Sequence, residues 1–285
     1  MAVEGYPVQW QAMDAEKGLF GPGSVSWQVH REVTVLFGGA RALLMQAAHP
    51  LVVAGARQTG FYERNPWKRL ERTLQLQFAI TFGTREEALR AADRINRVHR
   101  DVHGIDEVTG LPFDATDPEL LLWVHACLVD SSLLFERLTV GKLDDESRQR
   151  FHDEQMLGAE LLGLPRDRIP PTPTALHGYI GDVVESGALR VGDEALIVAE
   201  LIRHPPREVP WRPVLWQVAW WAFATLPPRL REMYGVGWTR LGELRLRGSL
   251  GTLKLLRPSL PGRVREIVPA RIAVERVAAG TRARS

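Results

Sequence analysis

Asp117-Pro118-Glu119-Leu120-Leu121-Leu122-Trp123-Val124-His125-Ala126-Cys127-Leu128-Val129-Asp130-Ser131-Ser132-Leu133-Leu134-Phe135-Glu136-Arg137-Leu138 is the stretch on which the fold is read. Asp117 offers a side-chain oxygen to the free N–H groups of a helix start. Pro118 suits the first helical position, where an N–H would be unpaired in any case. From there Leu121, Leu122, Val124, Leu128, Val129 and Leu133 recur at a helical period, not at the period of two that a strand needs. The spacing predicts a helix over Glu119 to Leu138.

Working outward, the same punctuation repeats. Thr84-Arg85-Glu86-Glu87 is a capping box, and the helix it opens is expected to run to His103 and to end on Gly104. Asn65-Pro66 signals an earlier start, with a helix from Trp67 to about Phe82 and Gly83 as its left-handed cap. Ser24 to Gln58 reads as one long helix or a broken pair, weakest at Gly38-Gly39 and Pro50. Further helices are expected over Asp144–Leu162, Pro173–Glu185, Gly192–Arg203, Pro213–Thr225 and Trp238–Leu255. Between them, Gly163 to Pro173 holds Pro165, Pro170, Pro171 and Pro173 and reads as an extended linker. Strand-like alternation is scarce and no repeat of 20–50 residues is visible. The expectation is an all-α single domain of about ten helices over residues 25–260, with an arm at 1–24 and a basic segment at 261–285.

Composition excludes several classes. With 285 residues, 45 % apolar and 25 % charged, the chain has the profile of a soluble globular protein, not of a disordered chain, a collagen or a coiled-coil rod. Cys127 is the only cysteine, so a disulfide framework and a cysteine-based zinc site are both ruled out. Met1 to Tyr6 carries Glu4 where a signal peptide would be basic, which makes a reducing cytoplasm the expected compartment. No transmembrane segment is expected either. Val35 to Ala56 is interrupted by Arg41 and His49, and Val214 to Leu226 has only 13 residues before Pro227-Pro228. The net charge of +2 is unevenly spread: from Pro228 onward 13 Lys+Arg face 4 Asp+Glu, a balance of +9 that leaves −7 for the rest. Such an end could meet anionic lipid or nucleic acid, or be a solvated helix face. Its arginines alternate with Val, Ile and Ala instead of stacking aromatics, so no nucleic-acid partner is expected.

Dinucleotide, P-loop and hydrolase-elbow motifs are all absent. What remains is histidine on apolar helices: His49, His99, His103 and His125. His49 precedes Pro50 and could simply hydrogen-bond a helix end. His99 and His103, four apart, would share one helix face and could share a metal ion, or one could ligate while the other supports it. His103 could equally serve the helix dipole. His125, between Trp123-Val124 and Ala126, could be a satisfied core residue. A second constellation, Arg69, Arg72 and Thr73, lies on one helix face at i, i+3, i+4. Arginines entering an apolar face need anionic partners, which protein carboxylates such as Asp130 or Glu136, or the propionates of a cofactor, could supply. In an antiparallel hairpin about Gly83, Arg69 and His99 come level to within about 3 Å along the axis. Packed helices stand only about 8–10 Å apart, so a macrocycle there needs splayed helices or a third wall.

These residues resemble a known family. Gly38-Gly39-Ala40-Arg41-Ala42-Leu43-Leu44-Met45-Gln46-Ala47-Ala48-His49-Pro50 is similar to the opening of the oxygenase MpaB and rubber-oxygenase (latex clearing protein) family. So are Asn65-Pro66-Trp67, Arg69 to Thr73, Phe82-Gly83, Arg94 to His99 and Asp117 to Ala126, in the right order from Val25 to Gly163. The resemblance implies an all-α fold around haem b, with Val98-His99 matching the element that gives the proximal ligand. Arg69, Arg72 and Thr73 match the distal Arg-x-x-Lys-Thr element, with arginine in place of a lysine that can bind iron when neutral. The rubber enzymes' catalytic carboxylate has no secure counterpart here.

The resulting expectation is a haem-dependent oxidoreductase, an oxygenase joining dioxygen to a hydrophobic, unsaturated or isoprenoid-like small molecule. His99 would hold the iron. Arg69, Arg72 and Thr73 would serve the reacting side, and His125 and His49 would be further cofactor contacts. A haem carrier or sensor without turnover is the alternative, and a non-haem metal protein using His99, His103 and His125 is a third.

Overall fold

The computed structural model describes Trp10 and residues 13–60, 66–207, 209 and 211–284, without the side chains of Pro66, Arg69, Ala283 and Arg284. Asn65 and residues 1–9, 11 and 12 of the expected N-terminal arm lie outside the described residues. Helices make up 71 % of the structure, so the all-α expectation holds. They are more numerous and shorter than the ten expected.

The segment read as one helix or a broken pair is four: α1 (Val25–His30), α2 (Val33–Leu36), α3 (Gly38–Ala47) and α4 (Pro50–Gln58). Pro50, at the first position of α4, cannot continue the ladder of α3, and the chain bends there by 102°. α5 (Pro66–Phe82) and α6 (Arg85–Arg100) form the expected hairpin. The Thr84 hydroxyl accepts from the Glu87 amide while the Glu87 carboxylate accepts from the Thr84 amide, which completes the capping box. Gly83 is not in the left-handed region. Crowding fixes it as glycine instead, because a Cβ there would stand 2.3 Å from the Ala79 carbonyl oxygen.

The helix does not reach His103, and Gly104 is no helix cap. α6 stops at Arg100, and β1 (His103–Ile105) pairs antiparallel with β2 (Pro112–Asp114), with Gly104 opposite Phe113. The hairpin wins because Thr109 and Gly110 supply its turn. The Asp106 carboxylate accepts from the Thr109 amide and hydroxyl, and Gly110 adopts φ +71°. His99 and His103 are therefore not one turn apart on a shared face.

α7 (Pro118–Thr139), capped by the Asp117 carboxylate, is the axis of the molecule. Its packing against α3 is the broadest between any two of the described elements. Gly38 permits the close crossing: a Cβ there would lie 2.7 Å from the Ser131 carbonyl oxygen. α8 (Asp145–Leu161), α9 (Pro173–Glu185), α10 (Asp193–Arg203), α11 (Arg212–Ala224) and α12 (Pro228–Met233) close the core around Trp123, Phe151, Leu176 and Ile180, each 2 % exposed or less. α13 (Arg240–Leu256), α14 (Gly262–Arg265) and α15 (Val268–Arg284) complete the chain. The basic C-terminal segment is partly anchored: Ala270, Ala273 and Val277 pack with Trp27 and Phe82. Among the described helices, α7 is by itself long and apolar enough to cross a membrane, but 44 % of its most apolar window is buried within the fold.

Candidate functional site

An apolar cavity of about 190 Å³ lies among α1, α2, α5, α7 and α8. Its walls include Leu36, Phe78, Leu121, Val124 and Leu128, and no Asp, Glu, Lys or Arg lines it among the described residues. The α5 positions that line it are Leu74, Gln77, Phe78, Ile80 and Thr81; all but Ile80 fall on one narrow stripe of a 3.6-residue period, and Ile80 lies at its edge. Leu128 marks the mouth, being part of the wall and 43 % exposed.

Three imidazoles enter this cavity: His30 from the end of α1, His99 from the last turn of α6 and His125 from α7. His30 is edge-on to Phe151, with ring centroids 5.4 Å apart. Its Nδ1 and the Nε2 of His125 are buried and have no hydrogen-bond partner among the described residues. Burial drives His30 down to about 4 and, with nearby His152 adding repulsion, His125 down to about 3. Burial also lowers His99. All three rings are thus held neutral, the form in which an imidazole can bind a metal.

His99 has a second position of note. It also lines a neighbouring apolar pocket of about 220 Å³ with Val52, Val102, Phe113 and Leu120, and shares Leu121 and Val124 between the two. Neither space alone reaches the roughly 300–1,000 Å³ of a site for a drug-sized ligand. Their volumes together reach the lower part of that range, and His99, Leu121 and Val124 form the wall between them.

The other predicted residues are elsewhere. Arg72 and Thr73 are exposed and do not line the cavity, which corrects the expectation that the Arg-x-x-Arg-Thr face turns inward. The reason is the helical period: with Leu74, Gln77, Phe78 and Thr81 inward, Arg72 falls on the opposite side of α5. The Arg69 side chain lies outside the described residues. His49 caps α4 without a side-chain bond, packs against Trp123 at 6.3 Å, and does not line the cavity. His103 is exposed on β1. Among the described residues no three His, Cys, Asp or Glu side chains cluster to hold a metal ion, so His99, His103 and His125 do not form a joint centre. Cys127 is buried, and burial pushes its thiol well above the ordinary range, which leaves it unreactive.

Sequence reasoning missed His30. In a six-residue helix it reads as a basic residue in the last turn, like any exposed C-terminal histidine. Only the packing of α1 on α8 turns it inward.

The family model described as "ER-bound oxygenase mpaB/B'/Rubber oxygenase, catalytic domain" matches residues 27–255, and so spans nearly every residue of the cavity wall. Two curated relatives, proteins of Mycobacterium bovis and Mycobacterium tuberculosis both described as uncharacterised, are each 25 % identical over 238 residues, covering 79 % of this chain and 89 % of the relative. No solved structure matches the chain. The matched region is an oxygenase-type catalytic domain.

Proposed function

The chain belongs to the mpaB and rubber oxygenase family, and from that premise we propose that it is a haem b-dependent oxygenase of a hydrophobic, unsaturated small molecule. The observation that carries the reading is the convergence of His30, His99 and His125, all neutral, in one uncharged apolar cavity. Such a donor set fits a haem, whose iron takes one or two neutral imidazoles and whose ring needs apolar walls. Haem b, when bound, supplies the dioxygen chemistry that no side chain of this cavity provides.

The chain's own residues have three tasks. His99, at the junction of the two spaces, would be the proximal ligand, kept deprotonated by burial. Phe78, Leu121, Val124 and Leu128 exclude water and favour an apolar substrate over a polar one. Gln77, Thr81, Ser132 and Gln155 are the uncharged hydrogen-bonding groups in reach of it. The Gln155 amide nitrogen already donates to the Ser26 hydroxyl at 2.8 Å, which fixes the orientation of that side chain. A carboxylate is absent from the cavity among the described residues, so a carboxylate base is not part of the proposal.

A pyridine haemochrome assay on protein produced with added haem precursor tests the cofactor. A stoichiometric haem signal is expected, and its absence after reconstitution refutes the reading. Oxygen uptake on adding an alkene then separates an oxygenase from a carrier or sensor.

A further inference from the structure

α13 is apolar on two opposite faces. One face packs inward, with Leu246, Leu250 and Leu253 set among Phe135, Val218 and Trp221. The other carries Leu241, Leu244 and Leu255, which fall within about 60° of one another around the axis. They are 76 %, 66 % and 78 % exposed. The chain beyond keeps presenting apolar groups to solvent, at Leu256, Leu260 and Val264. An exposed apolar surface of this extent marks an interaction site.

This surface is not a frayed tail. Arg257, in the middle of it, turns inward and pairs with the buried Glu32 carboxylate, its Nε donating to Oε2 at 3.0 Å. Lys254 Nζ donates to the Arg137 carbonyl oxygen at 3.1 Å. The backbone is therefore tied to α7 and to the start of α2, and the leucines stand on fixed ground.

Charge identifies the partner. From Arg240 to Arg265 there are seven Lys+Arg and a single acid, Glu243; with Arg257 held inside by Glu32 and Arg247 paired with Glu243, five basic residues give the surface its positive charge. A second copy of this chain would bring the same positive surface and repel it. A nucleic acid would satisfy the charge but leave the leucines without a partner. An anionic bilayer satisfies both, with acyl chains for the leucines and headgroups for the arginines, whose long stems reach up from an apolar plane. We propose that the Arg240–Arg265 surface docks on an anionic lipid membrane. The proposal rests on this surface alone and stands or falls independently of the haem reading.

The test is co-sedimentation of the full chain with phosphatidylcholine vesicles, with and without phosphatidylglycerol. Binding is expected only to the vesicles containing phosphatidylglycerol, and it should weaken as salt screens the arginines. Leu255→Glu and Arg263→Glu should each weaken it by roughly tenfold, since a basic residue near an anionic leaflet contributes about fivefold and reversal costs more. Both side chains are exposed, so the melting temperature should not change. The proposal is overturned by a lack of binding to either vesicle, by variants that bind as tightly as the parent, or by a dimer in sedimentation velocity that Leu255→Glu splits.

Discussion

Arg257 and Glu32 stand 225 residues apart in the chain and meet as an ion pair whose side chains are 4 % and 5 % exposed. The same place is bridged by backbone, where Ile267 N–H donates to the Arg31 carbonyl. The C-terminal helices are thus locked to the first helices of the domain, and the pair is the polar centre of that lock.

Breaking the pair from one side leaves a buried charge without a partner, at a cost of about 3–5 kcal/mol. Arg257→Met is expected to lower stability by that amount in urea titration. Adding Glu32→Leu should recover most of the loss. If the single variant costs no more than a surface substitution, the pair is not desolvated in solution.

Gly38→Ala probes the crossing of α3 and α7. The added methyl would press on the Ser131 backbone and on Phe135, whose Cδ2 lies 3.1 Å from the ideal Cβ. Backbone cannot step aside as a flexible side chain can, so a loss of about 1–3 kcal/mol is expected. Gly39→Ala, with open space around its Cβ, is the matched control.

A pH signature is expected from a second ionic cluster, in which an exposed histidine caps a buried ion pair. Arg41 pairs with Asp130 at 2.8 Å, and Asp130 accepts from His177 Nδ1 at 2.8 Å, joining α3, α7 and α9. Burial alone would raise the Asp130 carboxyl, but the bond from His177 and the Arg41 charge outweigh it and hold it below its ordinary value. The bond to Asp130 raises His177 above 6.5. The stabilisation from His177 is therefore complete below pH 6.5 and fades as pH rises through its higher folded value. His177→Gln should flatten the fall in stability that the parent shows between mildly acidic and mildly alkaline buffer. An unchanged slope would show that the fall comes from other groups.

For the proposed cofactor, His99→Ala should abolish or strongly weaken haem retention, while His103→Ala, altering an exposed strand residue, should leave the Soret band in place. Should His125→Ala lose haem while His99→Ala keeps it, the proximal ligand is His125.

Much of the fold was legible because helix starts are local. Thr84, Asp117, Asp144 and Thr172 each bond an amide two or three residues on, so four residues of sequence suffice to find them. The end of α6 was not legible, since whether His103 continues a helix or pairs in a strand depends on Asp114, eleven residues later. The fate of Gly83 was equally hidden: its identity follows from crowding against Ala79, which a cap signal does not distinguish from a left-handed turn.

The site divides in the same way. Sequence alone determined that His99 and His125 lie on helices and that α5 carries an apolar stripe, because periodicity fixes which residues share a face. It could not determine which face points inward when an Arg-rich stripe and a Leu–Phe stripe compete on one helix. Tertiary packing decided that in favour of Leu74 and Phe78, since burying apolar surface is favourable and burying unpaired arginine is costly. It also brought His30 to the cavity from 69 residues before His99 in the chain. Such a convergence is set by how α1, α6, α7 and α8 pack together, and no local pattern encodes it.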